Sequence, residues 1–82
     1  MSNVRNILII EDNESIGAAV ALALTNENYQ ARHALTGEDG LAMIGDSPPA
    51  LVLCDIMLPG VDGLEVLRRT KASHPNIQFI ML

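Results

Sequence analysis

Acidic side chains follow two separate apolar runs of this sequence, each at the point where the run ends. Glu11 and Asp12 come directly after residues 7–10, and Asp55 comes directly after residues 50–54. Carboxylates bind hard cations and can act as nucleophiles. If the fold brings these three side chains together, the sequence holds one acidic site rather than two unrelated turns.

The two apolar runs have the pattern of buried strands, and the rest of the chain alternates around them. A short, unbroken run with β-branched residues is typical of a strand that is buried on both faces. The predicted strands cover residues 6–10, 29–34, 50–54 and 77–82. Segments with helical spacing separate them, which predicts a parallel sheet with helical crossovers. Parallel strands place their carboxyl ends at one edge, where ligands bind, so the three acidic side chains should converge there.

The helical segments carry start signals and apolar stripes. Asn13 or Ser15 is expected to cap the first helix. Its expected buried side chains fall four residues apart, and they are Ile16, Val20 and Leu24. The third helix follows a loop at residues 58–63, and its expected buried side chains are Leu64, Val66 and Leu67.

Length and composition limit the classes of protein to which the chain can belong. Its 82 residues make at most one domain, and 49 % of them are hydrophobic, as in globular proteins. The net charge of −5 argues against a binder of nucleic-acid phosphates, and Tyr29 and Phe79 are too few aromatics to stack bases. The single cysteine excludes an internal disulfide, and no apolar run is long enough to span a membrane. We therefore expect a cytoplasmic protein without direct contact to nucleic acid or membrane.

Three carboxylates at one edge of a sheet repel one another. Two such charges about 4 Å apart repel by about 1 kcal/mol in water and by about 4 kcal/mol at an effective dielectric constant of ~20. The cluster is tolerated if a cation neutralises it or if carboxylates take up protons. Oxygen ligands in this small number suit Mg²⁺, whereas Ca²⁺ needs more oxygens and Zn²⁺ prefers cysteine or histidine. Cys54 is expected in the core, His33 on an exposed strand and His74 in a turn, with no ligand spacing between the histidines.

Two stretches of the sequence resemble the receiver domain of two-component response regulators. They are residues 7–14 (ILIIEDNE) and residues 51–63 (LVLCDIMLPGVDG). The resemblance implies an α/β, flavodoxin-like fold whose parallel strands have the order 2-1-3-4-5. Because the family has five strands and five helices, it also implies a single receiver-like domain over residues 1–82 that ends within or after the fourth strand. The fifth strand and the last two helices of the family pattern would then be absent from these residues.

The resemblance also implies a role for each acidic residue. Asp55 would accept a phosphoryl group from a phosphohistidine of a sensor histidine kinase or a phosphotransfer protein. Asp12 would bind Mg²⁺ directly, Glu11 would act mainly through a water, and the backbone carbonyl of Met57 would be a further ligand. Such a domain takes part in its own phosphorylation and is not a turnover enzyme. The serine or threonine and the lysine that complete the family's site would lie after residue 82, and Lys71 is not placed to replace that lysine.

Other interpretations of the same residues stay open. A receiver-derived fragment without phosphotransfer would act through association, because residues 77–82 would form an unpaired apolar edge that favours a homo-oligomer or a domain swap. A longer parent chain would add an effector domain. An unrelated α/β phosphatase with an aspartate nucleophile usually needs an acid two residues later, and Met57 occupies that position. In the simplest interpretation, Glu11 and Asp12 form a solvated turn, and Asp55 only begins a loop or a helix.

Overall fold

The structure, a computed structural model, describes residues 5–82. In this part of the chain, strands and helices alternate from first to last. The strands are β1 (Asn6–Ile10), β2 (Gln30–Ala34), β3 (Leu51–Cys54) and β4 (Gln78–Met81). The helices are α1 (Glu14–Asn26), α2 (Gly37–Asp46) and α3 (Gly63–Ser73). None of these three helices is long and apolar enough to cross a membrane.

The strands form one parallel sheet in the order β2-β1-β3-β4, which confirms the predicted fold class and strand order. In its register, Ile10 lies opposite both Ala34 and Cys54. The backbone pairing continues one residue further, because the N–H of Glu11 donates to the Ala34 carbonyl (3.0 Å) and the N–H of Asp55 donates to the Ile10 carbonyl (2.9 Å). The residues that directly follow β1 and β3 are therefore neighbours at one edge of the sheet.

All three helices begin at that same edge, and each begins with a side-chain cap. Asn13, Thr36 and Asp62 each accept a hydrogen bond, at 2.9–3.0 Å, from the backbone N–H three residues further on. A cap of this kind contributes about 1 kcal/mol to the stability of its helix. Of the two caps that the sequence offered for α1, the structure uses Asn13 rather than Ser15.

The core lies between the sheet and the helices α2 and α3. The largest side chains buried there are Leu8, Ile10, Ile44, Val52 and Val66. Helix α1 packs on the opposite face, over β1 and β2. On that face Ile7 and Ile9 are buried, whereas Leu51 and Leu53 are only half-buried. Strand β1 is thus buried on both faces, as its unbroken apolar run predicts, and β3 is not.

The predicted buried stripe of α1 is wrong at Ile16. That side chain is 52 % exposed, Val20 and Leu24 are half-buried, and Gly17 is the buried residue of the helix. A Cβ at position 17 would lie 2.0 Å from the His33 ring, so the helix approaches β2 through its glycine. Neighbouring residues of a helix point about 100° apart, and turning Gly17 toward the sheet therefore turns Ile16 toward solvent.

The predicted stripe of α3 is right for Val66 and wrong for Leu64. Val66 and Thr70 are fully buried and lie four residues apart, so they share one face of the helix. Leu67 is half-buried at the border of this face, and Leu64 is 57 % exposed in the first turn. The stripe was misplaced because a threonine, which counts as polar in a hydropathy pattern, occupies a core position.

Replacing Thr70 should change the stability of the fold. Its Oγ1 is buried and has no hydrogen-bond partner within residues 5–82. An unpaired buried hydroxyl is unfavourable by roughly 1–3 kcal/mol, whereas valine has the same shape without the polar atom. We expect Thr70→Val to raise the free energy of unfolding by about 1 kcal/mol, measured as a higher urea midpoint with an unchanged slope.

The matched control for this prediction is Thr70→Ser. Serine keeps the hydroxyl and removes the buried methyl group, so we expect this variant to be less stable than the parent by about 1 kcal/mol. A Thr70→Val protein that unfolds at a lower urea concentration than the parent would show that the hydroxyl stabilises the fold.

Candidate functional site

The structure brings Glu11, Asp12 and Asp55 together at the carboxyl edge of the sheet. One carboxylate oxygen of each residue lies within 4.8 Å of those of the other two. Glu11 and Asp55 are half-buried, and Asp12 is exposed. The parallel register of β1 and β3 therefore joins side chains that are more than forty positions apart in the sequence.

Backbone amides hold the two half-buried carboxylates in place. Oε2 of Glu11 accepts a hydrogen bond from the N–H of Asn13 (3.0 Å), and Oδ1 of Asp55 accepts one from the N–H of Met57 (3.0 Å). Within residues 5–82 no hydrogen bond uses the second oxygen of either side chain. Each of these carboxylates thus has one oxygen that fixes its orientation and one that is available to a ligand.

The loop after Asp55 folds over the same edge. Leu58 is buried and anchors the loop, whereas the Met57 side chain is 78 % exposed. Gly60 has a φ of +72°, a conformation that other residues rarely adopt. A Cβ at Gly63 would lie 2.4 Å from the carbonyl oxygen of Asp55, so glycine is needed for α3 to begin against the backbone of that residue.

No basic side chain in residues 5–82 forms a salt bridge with the three acids. The salt bridges in this range join Glu65 to Arg68 and to Arg69 on the surface of α3. The hydrogen bonds from Arg68 and then Arg69 lower the pKa of Glu65 to about 2. The negative charge of the acidic cluster therefore has no partner among the described residues.

Cys54 lies next to the cluster but is not a reactive thiol. It is fully buried in the core, as its position in β3 predicts, and its Sγ donates to the Asp55 carbonyl at 3.3 Å. Burial, and then the negative charges of Asp55 and Glu11, raise the pKa of the thiol to about 12. A protonated thiol is a poor nucleophile and a poor metal ligand, so Cys54 adds no sulfur ligand to the oxygens of the three acids.

The sequence did not reveal that His33 touches this site. The prediction placed it on an exposed strand, but it is half-buried, and its Nε2 lies 2.8 Å from the backbone carbonyl oxygen of Glu11. The available signal was the lone glycine at position 17, within an otherwise apolar stretch of α1. A glycine there marks a close approach by another side chain.

The remaining candidates lie at the opposite edge of the sheet. Nζ of Lys71 donates to the carbonyl of Ile77, the residue before β4, so this lysine is far from the carboxyl edge, as predicted. His74 follows α3, and its Nδ1 lies 2.9 Å from the hydroxyl of Ser73. Neither side chain takes part in the acidic site.

Comparison with known proteins identifies the class to which this fold and site belong. Residues 7–82 match the family model of the response regulator receiver domain. The match covers nearly the whole chain, and the chain belongs to this family. The resemblance noted in the two sequence stretches is thereby confirmed.

The relatives show how much of each protein the chain covers. It is 42 % identical over 77 residues to the transcriptional regulatory protein AfsQ1 of Streptomyces coelicolor, which is 94 % of this chain and 34 % of AfsQ1. It is 36 % identical over 76 residues to the sporulation initiation phosphotransferase F of Bacillus subtilis, which is 93 % of this chain and 61 % of that protein. The chain thus spans about a third of the length of the first relative.

A solved structure shows the same fold at high similarity. The crystal structure of a CheY-like response regulator receiver domain protein from Methanospirillum hungatei superposes with a TM-score of 0.93 at 33 % identity. The alignment covers 96 % of this chain and 63 % of that one. The parallel order 2-1-3-4 is therefore the arrangement of an established receiver domain.

The buried thiol generates a prediction about reactivity and pH. Because burial raises the folded pKa of Cys54 from 9.0 to about 12, the thiolate is favoured by unfolding. We expect no alkylation by iodoacetamide at pH 8 in the folded chain and complete alkylation in urea, measured by intact mass.

The same shift makes stability depend on alkaline pH. The contribution of Cys54 to stability is intact below about pH 9 and is lost as the pH rises toward about 12. Cys54→Ala is the control, because it removes the thiol and leaves the rest of the chain unchanged. Equal alkaline destabilisation of parent and Cys54→Ala would contradict the assignment.

Proposed function

We propose that this receiver domain accepts a phosphoryl group on Asp55 in a two-component signalling system. The observation that supports this role most directly is the half-buried Asp55 carboxylate, which has one oxygen fixed by the Met57 N–H and lies with Glu11 and Asp12 in a cluster that spans no more than 4.8 Å. A nucleophile oriented in this way beside further anionic ligands suits transfer of a phosphoryl group.

The proposed transfer balances as a simple displacement. The second carboxylate oxygen of Asp55 attacks the phosphorus atom of a phosphohistidine on a sensor histidine kinase or phosphotransfer protein. The phosphorus–nitrogen bond breaks, its electron pair stays on the imidazole nitrogen, and that ring takes up a proton. The product is an acyl phosphate on Asp55. The domain is the acceptor in this step and is not a turnover enzyme.

The acidic residues fit Mg²⁺. The ion binds oxygens at about 2.1 Å, so two ligands on opposite sides of it lie about 4.2 Å apart, close to the 4.8 Å that bounds the cluster. Asp12 and Asp55 would bind directly, Glu11 would bind mainly through a water, and the Met57 carbonyl would be a further ligand. When bound, Mg²⁺ supplies the positive charge that offsets repulsion between the Asp55 carboxylate and the anionic phosphoryl group.

The partners follow from the same role. The donor is a sensor histidine kinase or a phosphotransfer protein, and we propose that a longer parent chain carries an effector domain that reads the phosphorylated state. Relatives such as AfsQ1, named a transcriptional regulatory protein, are about three times as long as the matched region. The net charge of −5 argues against direct contact between this segment and nucleic-acid phosphates. We propose that it acts in the cytoplasm, where two-component receivers work.

Phosphorylation from a small donor tests the role of Asp55. We expect incubation with acetyl phosphate and Mg²⁺ to add the mass of one phosphoryl group to the parent and none to Asp55→Asn, measured by intact mass spectrometry. The control variant is Asp46→Asn, an exposed aspartate at the end of α2 and at the opposite edge of the sheet, which should be modified like the parent. Chelation of Mg²⁺ by EDTA should abolish the reaction. Equal modification of Asp55→Asn would refute the assignment, and an unmodified parent would favour association as the role of these residues.

A specific surface favours association as a second candidate function. On the face that carries α1, a groove of about 440 Å³ is lined by Arg5, Ile7, Leu24, Tyr29, Ala50, Leu51, Leu53 and Gln78. Strand β4 lies beside it at the edge of the sheet, where Ile80 is 48 % exposed. An apolar edge strand with unpaired backbone groups is a template for pairing with another chain. We propose that the 82-residue form pairs through β4 with a second copy or exchanges elements with it.

Light scattering after size-exclusion chromatography tests this association. We expect an apparent mass above that of one chain which falls on dilution, and a monomeric mass for Ile80→Lys, because a charge on the edge strand opposes pairing. Leu22→Lys is the control, since Leu22 is 62 % exposed on α1 and lies away from β4. A monomer at all concentrations would exclude this candidate.

A further inference from the structure

A side chain of β2 reaches the loop that carries two of the acidic residues. Nε2 of His33 lies 2.8 Å from the carbonyl oxygen of Glu11. A carbonyl oxygen only accepts hydrogen bonds, so Nε2 carries the proton and donates. Both the neutral ring in this tautomer and the imidazolium have that proton, and the contact therefore does not depend on the charge of the ring.

This contact completes a clamp on the backbone of Glu11. The regular pairing of β1 with β2 ends at Ile10 and Ala34, and the N–H of Glu11 then donates to the Ala34 carbonyl at 3.0 Å. The carbonyl of Glu11 has turned away from the ladder and is held by the His33 side chain instead. Two consecutive residues of β2 thus hold the N–H and the C=O of one residue of the acidic loop.

The imidazole ring has little freedom to move away from this position. It packs against Gly17, where a Cβ would lie 2.0 Å from Cε1 and 2.1 Å from Nε2 of the ring. Gly17 is in turn fixed by its N–H, which donates to the Asn13 carbonyl at 3.0 Å in the first turn of α1. The ring therefore lies between the start of α1 and the loop formed by residues 11–13.

We propose that His33 is a positioning residue for the acidic site, and this inference rests on the proposed function of that site. The carbonyl of Glu11 and the N–H of Asp12 belong to one planar peptide group, so a hydrogen bond that fixes the carbonyl also fixes the direction in which the chain enters Asp12. With the donor in place, Glu11 and Asp12 are held beside Asp55 against the mutual repulsion of the three carboxylates. Without it, the peptide group turns and the carboxylates move apart.

The affinity for Mg²⁺ tests this role, because it responds to the geometry of the cluster. We would titrate the 82-residue chain with MgCl₂ and follow the NMR amide signals of Asp12 and Asp55. His33→Phe keeps a planar ring against Gly17 and removes the donor, and we expect its affinity to fall by about tenfold, as is usual when a group that orients a metal ligand is lost. His33→Gln carries an amide N–H near the position of Nε2, and we expect it to bind Mg²⁺ nearly as tightly as the parent.

Urea unfolding in EDTA separates positioning from structural support. A merely structural role would lower the stability of both variants and leave the affinity of their folded forms unchanged. The imidazole ¹⁵N shifts of the metal-free parent give a readout that requires no variant, since they show which ring nitrogen carries the proton. An unprotonated Nε2 in the folded parent overturns the inference.

The outcomes also distinguish this inference from the function on which it rests. A parent that does not respond to Mg²⁺ overturns the proposed site and the inference together. A parent that binds and a His33→Phe variant that binds equally well overturn the inference alone. Loss of affinity in His33→Phe with recovery in His33→Gln supports both.

Discussion

The parallel pairing of β1 with β3 is the constraint on which the acidic site depends. In this register Ile10 lies opposite Cys54, and the N–H of Asp55 donates to the Ile10 carbonyl. A slip of one residue would move Asp55 by about 3.3 Å along the strand and turn its side chain to the other face. The ligand oxygens of the cluster lie within 4.8 Å of one another, so such a slip would separate Asp55 from Glu11 and Asp12. The packing of β3 opposes such a slip, because the fully buried Val52 and Cys54 would exchange faces with the half-buried Leu51 and Leu53.

Groups that stabilise negative charge lie at the same edge of the sheet. Helices α1, α2 and α3 all begin there, and the partial positive charge of a helix N-terminus favours nearby anions. The backbone N–H of Asn13 donates to one oxygen of Glu11, and the backbone N–H of Met57 donates to one oxygen of Asp55. These interactions orient the carboxylates without neutralising them. The charge that remains on the three carboxylates is the charge that the proposed Mg²⁺ would offset.

The elements of this fold could be predicted from sequence because their signals are local. Unbroken apolar runs predicted β1 and β3, and Asn13 marked the start of α1. The faces of the helices could not be predicted with the same success. In a helix rich in alanine and leucine, several neighbouring faces are similarly apolar, so the sequence does not show which of them is buried. The residue that α1 buries against the sheet is Gly17, which does not stand out in a hydropathy pattern. Periodicity predicts the spacing of buried residues in a helix. Which face of α1 packs on the sheet depends instead on the contact between Gly17 and His33, which are far apart in the sequence.

The acidic cluster could be predicted from topology, but the hydrogen bond that completes it could not. Parallel strands must end at one edge, so the convergence of Glu11 with Asp55 follows from the fold class alone. The contact between His33 and the Glu11 carbonyl depends on how far α1 approaches β2, which no pattern in β2 itself encodes. A polar residue within a half-buried strand is usually predicted to face solvent. The His33 side chain instead packs against Gly17 and contacts the carbonyl of Glu11.

The position of the groove makes the two proposed roles, phosphoryl transfer and association, compatible with each other. Arg5 and Ala50 come just before β1 and β3, and Gln78 begins β4, so this part of the groove lies near the amino ends of the strands. The acids follow the carboxyl ends of β1 and β3, at the opposite edge. The core beneath the site is shared with α2 and α3, whereas the groove opens on the face of α1. A partner that covers the groove would therefore leave the acidic edge open, because the groove and the acids lie toward opposite ends of the strands.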